Sequence, residues 1–205
     1  MKFYGHLLNA LAFVRTKVEG ENNIPLNGAY IICPNHSSVI DIPCTYTLFK
    51  KYFVYTGKKE IEKWPLFHIF YTSGMNILVD RKSSSGAFRA FKRIAEEIDK
   101  GNPVMIFPEG TISKEAPVLT SFKSGAFAMA IQKQIPIVPV TFITNWKRMQ
   151  KADFFMGRAS PGLSEVIIHA PVITAGLTKS DAAMLQARVR EIINAPLQKR
   201  YGFKN

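Results

Sequence analysis

Apolar positions along the chain fall into two kinds of run that alternate. Short, nearly continuous apolar runs of strand length occupy residues 29–33, 52–55, 75–79, 104–107, 135–143 and 165–170. Between them, apolar side chains recur at helical spacing. The clearest case is 83–100, where Phe88, Phe91, Ile94, Ala95 and Ile98 share one face and Gly101 stands at the C-cap position. Further helices are predicted over 122–133 and over 181–197, the latter with Ser180 as N-cap. Shorter ones are predicted within 38–49 and over 64–71, where Pro65 suits a first turn. A Pro-Asn-His turn follows the first strand, and Gly57 ends the second. Pro136 and Pro139 interrupt the 135–143 run, which predicts an edge strand or an irregular segment.

Strands alternating with helices predict a single-domain α/β fold. Its central sheet should be mostly parallel or mixed, with flanking helices. The loops at the carboxyl ends of its strands are where a site should form. There are no internal repeats and no low-complexity tracts. Residues 1–18 read as a separate amphipathic helix, apolar through Leu7, Leu8, Leu11, Phe13 and Val14, with Lys2, Arg15 and Lys17 at its ends. Such a helix suits the plane of a membrane interface; packing on the domain is the plainer alternative. Residues 19–205 then form the domain proper. No run reaches the ~18 consecutive apolar residues of a membrane span, and the N-terminus is a poor match to a signal peptide.

Charge narrows the partners. The net charge is +12, which predicts something anionic: nucleic acid, lipid or a phosphorylated substrate. Aromatic residues sit among lysines at 49–53 and 63–71, a mixture suited to an anionic membrane surface, although a solvated basic face is the bland alternative. No recognition-helix, zinc or RNP signature supports nucleic acid. Cys33 and Cys44 lie in apolar sequence and read as buried free thiols of a reducing compartment.

Four segments at strand ends carry candidate chemistry. The first is Asn35-His36-Ser37-Ser38-Val39-Ile40-Asp41. On one helix, positions five apart lie about 140° around the axis and do not meet. They meet if His36 lies in the loop and Asp41 opens the helix, which Pro43 favours because proline is tolerated in a first turn. Asp41 would then take one ring nitrogen and leave the other as a base. Taken alone, the pair also fits a structural histidine. The second segment is Val79-Asp80-Arg81, where a strand-end arginine could fork onto phosphate or pair with Asp80 on the surface. The third is Phe107-Pro108-Glu109-Gly110-Thr111, followed by Lys123 near a helix start. Here Gly110 permits close backbone approach, Glu109 and Thr111 can bond hydroxyls, and Lys123 can meet an anion; a plain turn and a solvated lysine are the alternatives. The fourth, Ile135-Pro136-Ile137-Val138-Pro139-Val140, is an apolar wall or plain core. The histidines show no metal-ligand spacing.

Taken in order, Asn-His-x4-Asp, a strand ending in Asp-Arg, Phe-Pro-Glu-Gly-Thr and Ile-Pro-Ile-Val-Pro-Val resemble the four blocks of the lysophosphatidic acid acyltransferase family, the PlsC-like glycerolipid acyltransferases. The resemblance covers about residues 20–145. Two positions depart from it: Met75 stands where the family often has glycine, and Ile112 where it often has arginine after Glu-Gly-Thr. Both bear on headgroup recognition. The resemblance implies that residues 19–205 form an acyltransferase domain. It implies acyl transfer from acyl-CoA or acyl carrier protein to the sn-2 hydroxyl of a lysophosphatidic-acid-type lipid. His36 would be the catalytic base, oriented by Asp41. Arg81, Glu109, Gly110, Thr111 and Lys123 would bind substrate. No metal or other cofactor is expected, and the place of action would be the cytoplasmic face of a membrane, peripheral or monotopic. Two alternatives stay open: the same chemistry on glycerol 3-phosphate, a lysophospholipid or a lyso-aminolipid, or a peripheral membrane-binding protein without turnover.

Overall fold

The structure is a computed structural model of the 205-residue chain, and it describes residues 2–58, 76–79, 83–149 and 160–203. Helix α1 (Lys2–Leu11) leads into β1 (Val14–Glu19), then β2 (Ile31–Pro34) and α2 (Asp41–Leu48). Next come β3 (Val54–Lys58), β4 (Asn76–Val79), α3 (Ser84–Asp99) and β5 (Val104–Met105). The chain continues through α4 (Gly125–Lys133), β6 (Ile137–Phe142) and β7 (Gly162–Ile168), and closes with α5 (Ala182–Tyr201).

The strands form one sheet in the order β1-β7-β6-β2-β5-β3-β4. From β6 across to β4 every neighbouring pair is parallel. Strand β7 runs antiparallel to β6, and β1 runs parallel to β7. The expected α/β architecture with a mostly parallel sheet is therefore present. Strand β2 lies at its centre and is buried at all four positions, as a strand covered on both faces should be. Its side chains alternate between two cores. Ile31 and Cys33 join Val104 and Ile137 under α3, α4 and α5. Ile32 joins Tyr55, Met105, Val138 and the α2 residues Cys44, Tyr46 and Leu48 on the other face. Both cysteines are buried free thiols, as expected.

Several boundaries differ from those the pattern predicts, each for a local reason. The first helix stops at Leu11, and residues 14–19 are an edge strand rather than the end of a helix reaching residue 18. Phe13 at φ 52° breaks the helix, and Val14, Thr16 and Val18 then turn inward while Arg15, Lys17 and Glu19 face out. Strand β6 is central, not an edge. Pro139 is tolerated because its missing donor falls on the β7 side, one residue before that ladder begins at Val140–Ile168, and its carbonyl accepts from the His169 N–H. The β5 ladder covers only Val104–Met105, and α4 begins at Gly125 rather than at residue 122. Strand β3 is displaced toward Lys58 and runs through Gly57. Thr178, not Ser180, caps the start of the last helical segment, exchanging side-chain and backbone bonds with Asp181. The helix predicted over 64–71 and the residues Asp80 and Arg81 lie outside the described residues.

The turn after β1 depends on Gly20, at φ +81°, where an added Cβ would overlap the Ile168 carbonyl. Gly28 has a similar φ of +76° with nothing within 4 Å of that point. Gly28→Ala should therefore cost about 1–2 kcal/mol, the left-handed penalty alone. Gly20→Ala should cost clearly more, because the backbone of β7 must also move. Urea unfolding midpoints check this, and equal shifts for the two variants would contradict it.

Candidate active site

Three adjacent parallel strands, β6, β2 and β5, deliver their carboxyl-end loops to one edge of the sheet. The loop after β2 begins with Asn35. Its side chain extends the β2–β6 ladder by donating from Nδ2 to the Phe142 carbonyl at 3.1 Å and accepting from the Phe142 N–H at 2.7 Å. This holds the chain still where His36 leaves the sheet. The His36 N–H donates to Glu109 Oε1 at 2.8 Å, and its carbonyl accepts from the Ser113 N–H at 2.9 Å. The imidazole stacks on Phe107 with centroids 3.9 Å apart and planes 18° apart. His36 is thus gripped on both backbone groups and on one ring face by the loop after β5.

Asp41 opens α2, with Pro43 in the first turn, as the sequence predicts. Its carboxylate is fully buried. Oδ2 accepts from Ser37 N–H at 2.7 Å and Ser38 N–H at 2.8 Å, and lies 2.9 Å from His36 Nδ1. Oδ1 accepts from Asn145 Nδ2 at 2.7 Å. Such a carboxylate is an acceptor, so the shared proton is assigned to Nδ1, leaving Nε2 with its lone pair. An imidazole with one nitrogen held and the other basic can take a proton from an incoming hydroxyl.

The structure distributes the remaining sequence candidates unequally. Glu109 lies beside His36 but is buried, 3% exposed, and faces into the protein. Its second oxygen, Oε2, accepts from the Thr120 N–H at 2.9 Å and hydroxyl at 2.8 Å. Burial pushes its carboxyl above the ordinary range, and these donors oppose that shift. Both of its oxygens thus accept from neighbouring loops and hold them together. Gly110 turns at φ +72°, its N–H bonded to the Phe107 carbonyl at 3.1 Å. Thr111 is exposed next to it. The Lys123 N–H donates to the Pro108 carbonyl at 2.7 Å, which brings this exposed lysine to the same turn. Arg81 lies outside the described residues. Sequence reasoning missed Phe107 as a ring partner, Thr120 and Asn145. Only Phe107 stood within a quoted motif.

A family model described as Acyltransferase matches residues 15–143, from β1 to one residue past β6. The chain belongs to the acyltransferase family. The match contains His36, Asp41 and the Glu109 loop and stops two residues short of Asn145. Among curated relatives, the 1-acyl-sn-glycerol-3-phosphate acyltransferase of Saccharomyces cerevisiae is 30% identical over 191 residues, covering 92% of this chain and 61% of that protein. The Homo sapiens 1-acyl-sn-glycerol-3-phosphate acyltransferase alpha is 29% identical over 190 residues, covering 86% and 62%. The chain thus spans about three fifths of the length of such relatives. The crystal structure of PlsC, the 1-acyl-sn-glycerophosphate (LPA) acyltransferase of Thermotoga maritima, has the same fold, with a TM-score of 0.82 at 24% identity. That likeness covers 100% of this chain and 79% of the other.

If Glu109 is a clamp, Glu109→Ala strands the buried N–H of His36 and that of Thr120. The expected loss of stability is about 2–6 kcal/mol, since each of the two unsatisfied donors costs roughly 1–3 kcal/mol. Glu109→Gln keeps an acceptor oxygen and should cost less. Chemical denaturation checks the order, and an alanine variant as stable as the parent would remove the clamp.

Proposed function

We propose that this chain transfers a fatty acyl group from acyl-CoA or acyl carrier protein to the sn-2 hydroxyl of 1-acylglycerol 3-phosphate, making phosphatidic acid for phospholipid synthesis. One observation carries the reading: His36 Nδ1 sits 2.9 Å from a buried Asp41 carboxylate at the edge where three parallel strands end. The activities for which these relatives are named agree with it.

In this reading the glycerol hydroxyl oxygen attacks the thioester carbonyl carbon while His36 Nε2 takes the hydroxyl proton. Asp41 stabilises the imidazolium that forms. The tetrahedral intermediate then expels the thiolate. The C–S bond breaks, and the proton passes from His36 to sulfur, so the base is regenerated and no acyl-enzyme forms. The reaction as written needs no metal or redox group. The Gly110 turn presents Thr111, and Thr111 and Lys123, with Arg81, grip the acceptor phosphate by hydroxyl and cationic contacts. Glu109 keeps the Gly110 turn and His36 in register rather than touching the lipid.

The lipid is met at a membrane surface, on the cytoplasmic face. No helix among the described residues is long and apolar enough to cross a membrane. Helix α1 packs on α2 through Gly5, where an added Cβ would come within 2.9 Å of the Pro43 carbonyl. Its other side exposes Phe3, Leu7 and Leu11, with Phe13 just beyond. The exposed Arg15 and Lys17 follow on β1. An apolar ridge flanked by cations is what an anionic interface takes up.

Replacing His36 by alanine should cut turnover with labelled acyl-CoA and lysophosphatidic acid by about 10²–10⁴-fold, with binding to vesicles unchanged. Near-parental turnover would remove His36 as the base. For the surface, the triple change Phe3→Ser, Leu7→Ser, Leu11→Ser should weaken sedimentation with phosphatidylglycerol-containing vesicles. Undiminished sedimentation would place the membrane contact elsewhere.

A further inference from the structure

Asn145 is fully buried at the start of the turn that follows β6. Its Nδ2 donates to Asp41 Oδ1 at 2.7 Å across 104 positions of sequence. The amide orientation follows from chemistry, since only the NH2 end can face a carboxylate. The other end is unusual. Asn145 Oδ1 is buried and has no hydrogen-bond partner among the described residues. A half-satisfied buried amide is costly, and an apolar side chain of similar size would avoid the cost. Nor does the turn need this side chain. The turn is held by Arg148 N–H and Met149 N–H donating to the Asn145 backbone carbonyl, bonds that any residue could accept. What the amide supplies is, among the described residues, the single donor on Oδ1 that comes from outside the β2–α2 corner. The three contacts on Oδ2 all come from residues 36–38. Ser37 Oγ reaches Oδ1 only at 3.5 Å. The same turn takes a second hold on the corner, its Met149 carbonyl accepting from Ser38 Oγ at 2.5 Å.

We propose that Asn145 is a positioning residue for the acyl-transfer reaction. By holding Oδ1 it fixes the rotation of the Asp41 carboxylate, so that Oδ2 stays aligned with His36 Nδ1–H and Nε2 stays the basic nitrogen. The assignment rests on the proposed acyltransferase activity for its kinetic consequence, but not for its structural one.

The test uses the full chain and the variant Asn145→Leu, which keeps bulk and removes the donor. Turnover with acyl-CoA and lysophosphatidic acid should fall about 10–100-fold, the usual range for losing a hydrogen bond to a charged group. The KM for the lipid should stay within about twofold, because the residue does not touch substrate. In an Asp41→Ala background the same change should cost nothing further, since residues acting through one another are not additive. An equal loss in both backgrounds, or a change confined to KM, would overturn the assignment. If Asn145→Leu does not fold, Asn145→Ser takes its place in the same cycle. A second reading needs no turnover: ¹⁵N NMR of the histidine rings should show His36 as the Nδ1–H tautomer in the parent and a mixture in the variant. An unchanged tautomer would also overturn it. Should the parent fail to acylate any lysophospholipid, the proposed activity fails on its own, and the tautomer still decides the role of Asn145.

Discussion

A carboxylate taken fully out of water must have its hydration replaced by fixed donors, and the site is organised around that requirement at Asp41. The two N–H groups of Ser37 and Ser38, the amide of Asn145 and the ring N–H of His36 converge on its two oxygens. Two of those donors are backbone groups of the corner between β2 and α2, so the corner can close only with Asp41 inside it. One is the imidazole whose other nitrogen serves as base in the proposed reaction. The last reaches in from the turn after β6. Fold and site share one constraint: the same bonds that keep a charge buried also aim a histidine.

The sheet topology supplies the rest of the geometry. Parallel neighbours end at the same edge, so loops far apart in sequence meet without long excursions. The loop after β5 presents Phe107 to the His36 ring and Glu109 to its backbone. Glu109 in turn reaches Thr120, and the Lys123 N–H closes on Pro108. A buried acid linking these segments serves as a keystone here, and the exposed Thr111 and Lys123 stand at the same turn, where the proposed function puts the acceptor phosphate.

Much of this was legible in the chain itself. The β2–α2 corner follows from Pro43 and from the five-residue spacing, at which His36 and Asp41 could not meet on a single helix. Buried parallel strands follow from apolar runs without alternation, and α3 from its three-and-four spacing. What escaped was decided by distant partners. The inward turn of Glu109 depends on donors 73 and 11 positions away. Asn145 meets its partner 104 positions away, with no local pattern to mark it. Strand β1 was hidden because its alternating residues follow an apolar helix, and only the backbone of Phe13 separates the two. Pro139 argued for an edge, yet a central strand accepts it where the neighbouring ladder has not yet begun.

In the proposed reaction a buried-carboxylate–imidazole pair transfers the acyl group directly, without a covalent intermediate. It is tested most directly by incubating the purified chain with isotopically labelled acyl-CoA, with and without a panel of lyso-lipids, and weighing both lipid products and intact protein by mass spectrometry. Direct transfer gives labelled phosphatidic acid when lysophosphatidic acid is present, and protein of unchanged mass when no acceptor is added. An acyl adduct on the protein, or no labelled product from any acceptor, would contradict it.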